Sequence, residues 1–132
     1  MRAMKISPRS LTSLFFVLAT TIVSASCGGG NATPSTVPAG TDLEVHAISG
    51  LRWDKDSYTV AAGDIDVALV NDDSIHHMLV VIQGDTVLNG LELGVYKTGE
   101  IDSGTISLDP GSYSIFCTVP GHQSMKAELI VE

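Results

Sequence analysis

A chain of 132 residues that sets fifteen Asp and Glu against seven Lys and Arg has a formal charge of −8, which excludes nucleic acid and anionic lipid surfaces as partners held by charge. Apolar residues make up 44% of the chain, enough for the core of one small domain. Its two cysteines, Cys27 and Cys117, lie in stretches of very different character, so no disulfide framework is expected.

Arg2, Lys5 and Arg9 precede an uncharged, largely apolar run from Leu11 to Ala25. That run is shorter than the roughly 20 residues a spanning helix needs, and residues 1–26 are expected to be a secretory signal peptide. Val23-Ser24-Ala25 offers an A-x-A type cleavage site. Ser24, Ala25 and Ser26 before Cys27 resemble instead a bacterial lipoprotein box, with serine where an aliphatic residue is usual. Residues 27–41, rich in Gly, Pro, Ser and Thr, read as a flexible tether with Cys27 as its possible lipid anchor. Loss of residues 1–26 removes three basic residues and no acidic one. Four basic residues then face fifteen acidic ones, a net charge of −11, and a basic protein partner suits that field.

Residues 42–132 form the expected folded domain. Leu43, Val45 and Ala47 alternate with Glu44 and His46, the pattern of a half-buried strand. His46 shows no partner at a telling spacing and reads as a surface residue. Tyr58 and Val60 lead into a turn over Ala61 to Asp64. Ile65, Val67 and Leu69 alternate again, and Asn71-Asp72-Asp73-Ser74 is a turn cluster. His77 to Ile82 reads as a more fully buried strand, ended by Gln83-Gly84-Asp85. Residues 86–104, with glycines at 90, 94, 99 and 104, look irregular and leave room for a short helix. Thr105 to Leu108, Ser112 to Cys117 and Lys126 to Val131 are the last strands, the first two separated by the turn Asp109-Pro110-Gly111. Short strands at regular spacing predict an all-β sandwich.

Between the last two strands lies Cys117-Thr118-Val119-Pro120-Gly121-His122-Gln123-Ser124-Met125. Thiolate, imidazole and thioether on one short loop suit copper, and two His, one Cys and a weak axial Met are the donors of a blue-copper electron-transfer site. The loop supplies three of the four. His77 is the candidate for the fourth, since a strand residue and this loop can meet at one end of a sandwich. His76 points to the opposite face of the strand, so only one of the pair should bind. Zinc matches less well, because its sites draw on Cys, His and carboxylates. No open position beside a general base and no dyad spacing is evident, so enzymatic activity is not expected.

Asn71-Asp72-Asp73-Ser74-Ile75-His76-His77-Met78-Leu79-Val80-Val81 resembles the first-histidine segment of plastocyanins, azurins and other cupredoxins. There an Asn closes a strand and the ligand His follows six residues later, usually after Pro. On that spacing His77 is the ligand and His76 stands in the place of the Pro. Tyr113 to Cys117, the loop after it and Gly63-Asp64 before a strand resemble the family as well. The resemblance implies a Greek-key β-sandwich of about seven to eight strands and one copper ion on His77, Cys117, His122 and, axially, Met125. It further implies single-electron transfer to redox proteins such as a cytochrome, oxidase or reductase, by a monomer in the periplasm or on the outer face of the cytoplasmic membrane. His122, rimmed by Val119 and Pro120, would be the electron's exit, and the Val119 N–H would donate to the Cys117 sulfur. Two features depart from the pattern. Only Gln123 and Ser124 separate His122 from Met125. Met78 replaces an Asn whose side chain ties to the hydroxyl residue after the Cys, so that tie to Thr118 must be weaker here or made by backbone. The binuclear copper centre that shares the short gap needs two cysteines and is excluded. A periplasmic copper buffer or delivery protein is the rival reading; such proteins tend to use Met and His clusters without Cys.

Overall fold

Alternation of apolar and polar residues sets most of the strands. In the computed structural model, which describes residues 36–132, they are β1 (Leu43–Ile48), β2 (Arg52–Trp53), β3 (Ser57–Val60), β4 (Gly63–Asn71), β5 (His77–Gln83), β6 (Thr86–Val95), β7 (Ile101–Leu108), β8 (Gly111–Phe116) and β9 (Lys126–Val131). The expected signal peptide, Cys27 and the first part of the tether lie outside the described residues. At its other end that stretch meets the domain through a turn: Thr41 N–H and Oγ1 both reach the Pro38 carbonyl, and Asp42 N–H donates to Asp66 O.

Two sheets pack face to face, one ordered β2-β1-β4-β7 and the other β3-β9-β8-β5-β6. β1 runs parallel to β4 and β3 parallel to β9, while the other neighbours are antiparallel. The non-sequential neighbours require chain crossings between the sheets, as Greek-key connections make them. Val45 and Leu69 from one sheet and Leu79, Ile115 and Leu129 from the other are wholly buried between them, each large side chain contributing about 1.5–3 kcal/mol. Asp109 and Pro110 carry the chain from one sheet to the other. Tyr113 Oη closes that corner by donating to the Asp109 carbonyl at 2.9 Å.

Residues 86–104 depart from the sequence reading. They hold no helix; a ten-residue edge strand, β6, fills most of the stretch, and β7 starts at Ile101 rather than Thr105. The register of β5 on β6 jumps between Val80↔Glu92 and Ile82↔Val87. Four residues of β6 thus face one of β5, and Gly90, at φ 111°, sits in that bulge. A bulge adds residues without ending a strand and breaks the two-residue period, which is why the segment looks irregular. Gly104 is used differently: a Cβ there would meet Leu91 Cδ1 at 2.8 Å, so its bareness lets β7 close against β6.

The central strands β4 and β5 place the site. β4 ends at Asn71 and β5 begins at His77, so both ends lie beside the short loop that joins them. β8 runs antiparallel to β5 with Val80 opposite Phe116. Continuing that register brings the Cys117 loop alongside the start of β5.

Candidate metal centre

Asn71 shapes the loop that leads to His77. It is wholly buried; its Nδ2 donates to Ile75 O and its Oδ1 accepts the Asp73 N–H, both at 2.9 Å. A short amide that folds back on its own backbone is the usual way an Asn builds a turn. A neighbouring loop braces the result, with Gly99 N–H on Asn71 O and Thr98 Oγ1 on Asp73 O, each at 2.7 Å. The Asp73 carboxylate accepts the Ser74 N–H through Oδ1 and lies 3.3 Å from His77 Nε2 through Oδ2. The Ser74 N–H draws the Asp73 carboxyl below the usual carboxylate range; burial opposes this, and His77 adds to it.

The loop from Cys117 to Met125 is two consecutive turns. Its ends pair through Cys117 N–H on Met125 O at 3.1 Å, which extends the β8–β9 ladder by one step. His122 N–H closes the first turn on Val119 O, at 3.0 Å. Pro120 and Gly121 occupy its centre, and Gly121 has φ 91°, the residues and sign that a type II turn demands. Met125 N–H closes the second turn on His122 O, at 2.8 Å. Gln123 and Ser124 are its two central residues. The short gap between His122 and Met125 is therefore the length of one β-turn.

These two loops bring His77, Cys117 and His122 together, with one donor atom from each lying within 4.8 Å of the others. Cys117 Sγ is 3.7 Å from His122 Nδ1, and the rings of His77 and His122 are 5.1 Å apart between centroids. His77 and Cys117 are wholly buried, and His122 is half-buried. Met125 is wholly buried on the same loop, in the core cluster that includes Cys117. His76 precedes β5 rather than lying on it, stands outside the cluster and stacks on Tyr96 with centroids 4.2 Å apart.

Whether the cluster fits a metal is decided by His77. Asp73 takes its Nε2 side, and its Nδ1 is buried with no hydrogen-bond partner. A buried polar atom left unpaired costs about 1–3 kcal/mol, and a metal ion shared with Cys117 and His122 would fit that need. Burial lowers the pKa of His77, with the nearby His122 and His76 adding to the effect against the opposing pull of Asp73. This favours the neutral ring, the form that ligates. Donors less than 5 Å apart can share an ion about 2.0–2.3 Å from each nitrogen and sulfur. Two imidazoles and a thiol without a carboxylate among them suit copper better than zinc or a hard cation.

Three features lie beyond the sequence reading. The N–H aimed at Cys117 Sγ is that of Met78, at 3.5 Å; among the described residues the Val119 N–H makes no such bond. Met78 is thus tied by its backbone to Cys117 rather than to Thr118, and its side chain lies over Gly94, where a Cβ would come within 2.8 Å of Sδ. Asp73 was visible only as one of a turn cluster, and its facing of His77 depends on the Asn71 staple. His46 has partners after all: Nδ1 is 2.6 Å from Asp72 Oδ2 and Nε2 is 2.7 Å from Glu44 Oε1. Glu44 is two residues away on the same strand face, a signal the sequence does hold. Asp72 reaches His46 because β1 runs parallel to β4, which the sequence does not show.

Two packed sheets with His77, Cys117 and His122 together at one end have the layout of the cupredoxin fold. Solved structures agree on the fold. A reduced-state structure of an amicyanin variant is 22% identical, with a TM-score of 0.54 over 74% of this chain and 88% of that one. The reduced Cu(I) form of another amicyanin variant is 23% identical, with the same TM-score and coverage. An azurin from the obligate methylotroph Methylomonas sp. strain J is 18% identical, with a TM-score of 0.55 over 71% of this chain and 99% of that one. No protein-family model matches the sequence, and no curated protein matches it either. At these identities the likeness is one of fold, and this chain has the cupredoxin fold.

Proposed function

We propose that this chain carries single electrons on one copper ion held by His77, Cys117 and His122, with Met125 as the weak axial donor. The observation that carries the reading is the convergence of three donor residues, one of them a buried imidazole with a nitrogen that has no hydrogen-bond partner. Copper supplies the one-electron couple between Cu(I) and Cu(II). The chain's own part is to hold its donors still. His77 begins a central strand with Asp73 on its far nitrogen, and Cys117 and Met125 are the backbone-paired ends of one loop. His122 joins two turns. Donors fixed in this way change little when the charge on the ion changes.

His122 is also the donor nearest to solvent. Beside it Val119 is half-buried and Pro120 exposed, an apolar edge through which a partner could come close. The acidic charge of the domain favours a basic redox protein there, of the cytochrome, oxidase or reductase kind. Residues 1–26 support export, and Cys27 supports attachment to the membrane by a lipid. The reading is of a monomeric electron carrier rather than an enzyme.

Voltammetry of the copper-loaded protein tests the reading. A carrier gives a reversible one-electron wave and repeated cycles without loss of metal. Loss of copper on each reduction would instead assign the chain to copper buffering or delivery.

A further inference from the structure

We infer that Asp73 is a positioning residue of the metal centre: its carboxylate, 3.3 Å from His77 Nε2, fixes the imidazole and favours the oxidised ion. The inference rests on the copper reading above and goes beyond its ligand set to what tunes it. A ligating imidazole keeps its orientation and tautomer by donating the other N–H to a fixed acceptor. Here that acceptor is charged, and only 11% of its side chain is exposed beside a ring wholly out of water. A hydrogen bond to a charged group in such surroundings is stronger than one to a neutral group.

Asp73 is also held in place. Its N–H is taken by the buried Asn71, its carbonyl by Thr98 Oγ1 and its second carboxylate oxygen by the Ser74 N–H. The arrangement selects the tautomer of His77 with hydrogen on Nε2 and leaves Nδ1 bare. That nitrogen is buried and has no hydrogen-bond partner. Two independent observations, a braced carboxylate on one side of the ring and an orphaned nitrogen on the other, thus point the same way. A carboxylate behind the ring also makes it a stronger donor. The more highly charged Cu(II) gains more from this than Cu(I), so Asp73 holds the potential down.

The test compares Asp73→Asn with Asp72→Asn. Asn at 73 keeps an oxygen for the Ser74 N–H and loses the charge. Asp72 is the next residue on the same loop, but its carboxylate faces His46, so its loss changes the local field without touching a ligand. Removing an outer partner of a ligating His typically costs 10–100-fold in metal affinity. A tenfold loss confined to Cu(II) raises a one-electron potential by about 59 mV. Voltammetry should show a rise of that order in Asp73→Asn, a clearly smaller one in Asp72→Asn, and little change in either visible spectrum. In the metal-free protein, nitrogen NMR of His77 should report hydrogen on Nε2 in the wild type and a mixture of tautomers in Asp73→Asn. Equal shifts in the two variants, or an unmoved potential and tautomer in Asp73→Asn, would overturn the inference while the blue centre stands. A wild-type protein without a blue copper complex would overturn both.

Discussion

Replacing His46 by Gln should weaken the fold at low pH and leave it almost unchanged at high pH. Both ring nitrogens of His46 face carboxylates, at 2.6 and 2.7 Å. A neutral imidazole has a single N–H, so only the imidazolium donates to both. Partial burial pulls its pKa down, but the hydrogen bonds to Asp72 and Glu44, helped by the charges of Asp72 and Asp54, outweigh it and raise it above 6.5. A raised value means that the folded chain binds this proton more tightly than the unfolded one. The resulting stability is complete below the unfolded value and is lost as the pH rises through the folded one. The carboxylates are about half exposed, at 47% and 50%, so each pair contributes only about 0.2–1 kcal/mol. Together they amount to roughly 0.5–2 kcal/mol, or about 2–10 °C in Tm for a domain of this size. Thermal unfolding of the copper-loaded wild type and of His46→Gln, followed from about pH 5.5 to about pH 9 on either side of the histidine range, measures the difference directly. Effects of pH on other groups cancel between the two proteins. A gap that stays constant, or that widens as the pH rises, would refute the charged bridge.

Four further substitutions probe the site and the packing around it. His77→Ala should abolish the visible colour of the copper protein, whereas His76→Ala, which removes only a stack on Tyr96, should keep it; an absorption spectrum of each variant decides. Met125→Leu should retain copper and raise the potential, because a thioether donates weakly to Cu(II) and its loss leaves Cu(I) relatively favoured; voltammetry that shows no rise would remove Met125 from the axial position. Gly104→Ala places a methyl 2.8 Å from Leu91 Cδ1 and 3.3 Å from Leu93 Cδ2. Overpacking should outweigh the entropy gained by losing a glycine and cost about 1 kcal/mol, read as a lower denaturation midpoint.

Where a feature depends on local period or spacing, the sequence already shows it. Leu43, Val45 and Ala47 turn inward, as their alternation with polar residues requires, and Val67 and Leu69 do the same. Cys117, His122 and Met125 declare themselves through three soft or borderline donors within nine residues. What stays hidden depends on register or on backbone. The bulge at Gly90 makes a long strand look irregular. The Met78 N–H aimed at Cys117 belongs to the main chain, which every residue type shares, so no side chain announces it. Asp72 and Asp73 look alike in sequence. The parallel pairing of β1 with β4 sends the first to His46, and the Asn71 staple sends the second to His77.

The proposed function requires one copper ion on His77 and on the thiolate of Cys117. Titration of the metal-free protein with Cu(II), followed in the visible region, tests it most directly. An intense blue band should grow linearly, stop at one equivalent and be absent from Cys117→Ser. A colourless one-to-one complex, or a band that survives in Cys117→Ser, would contradict it.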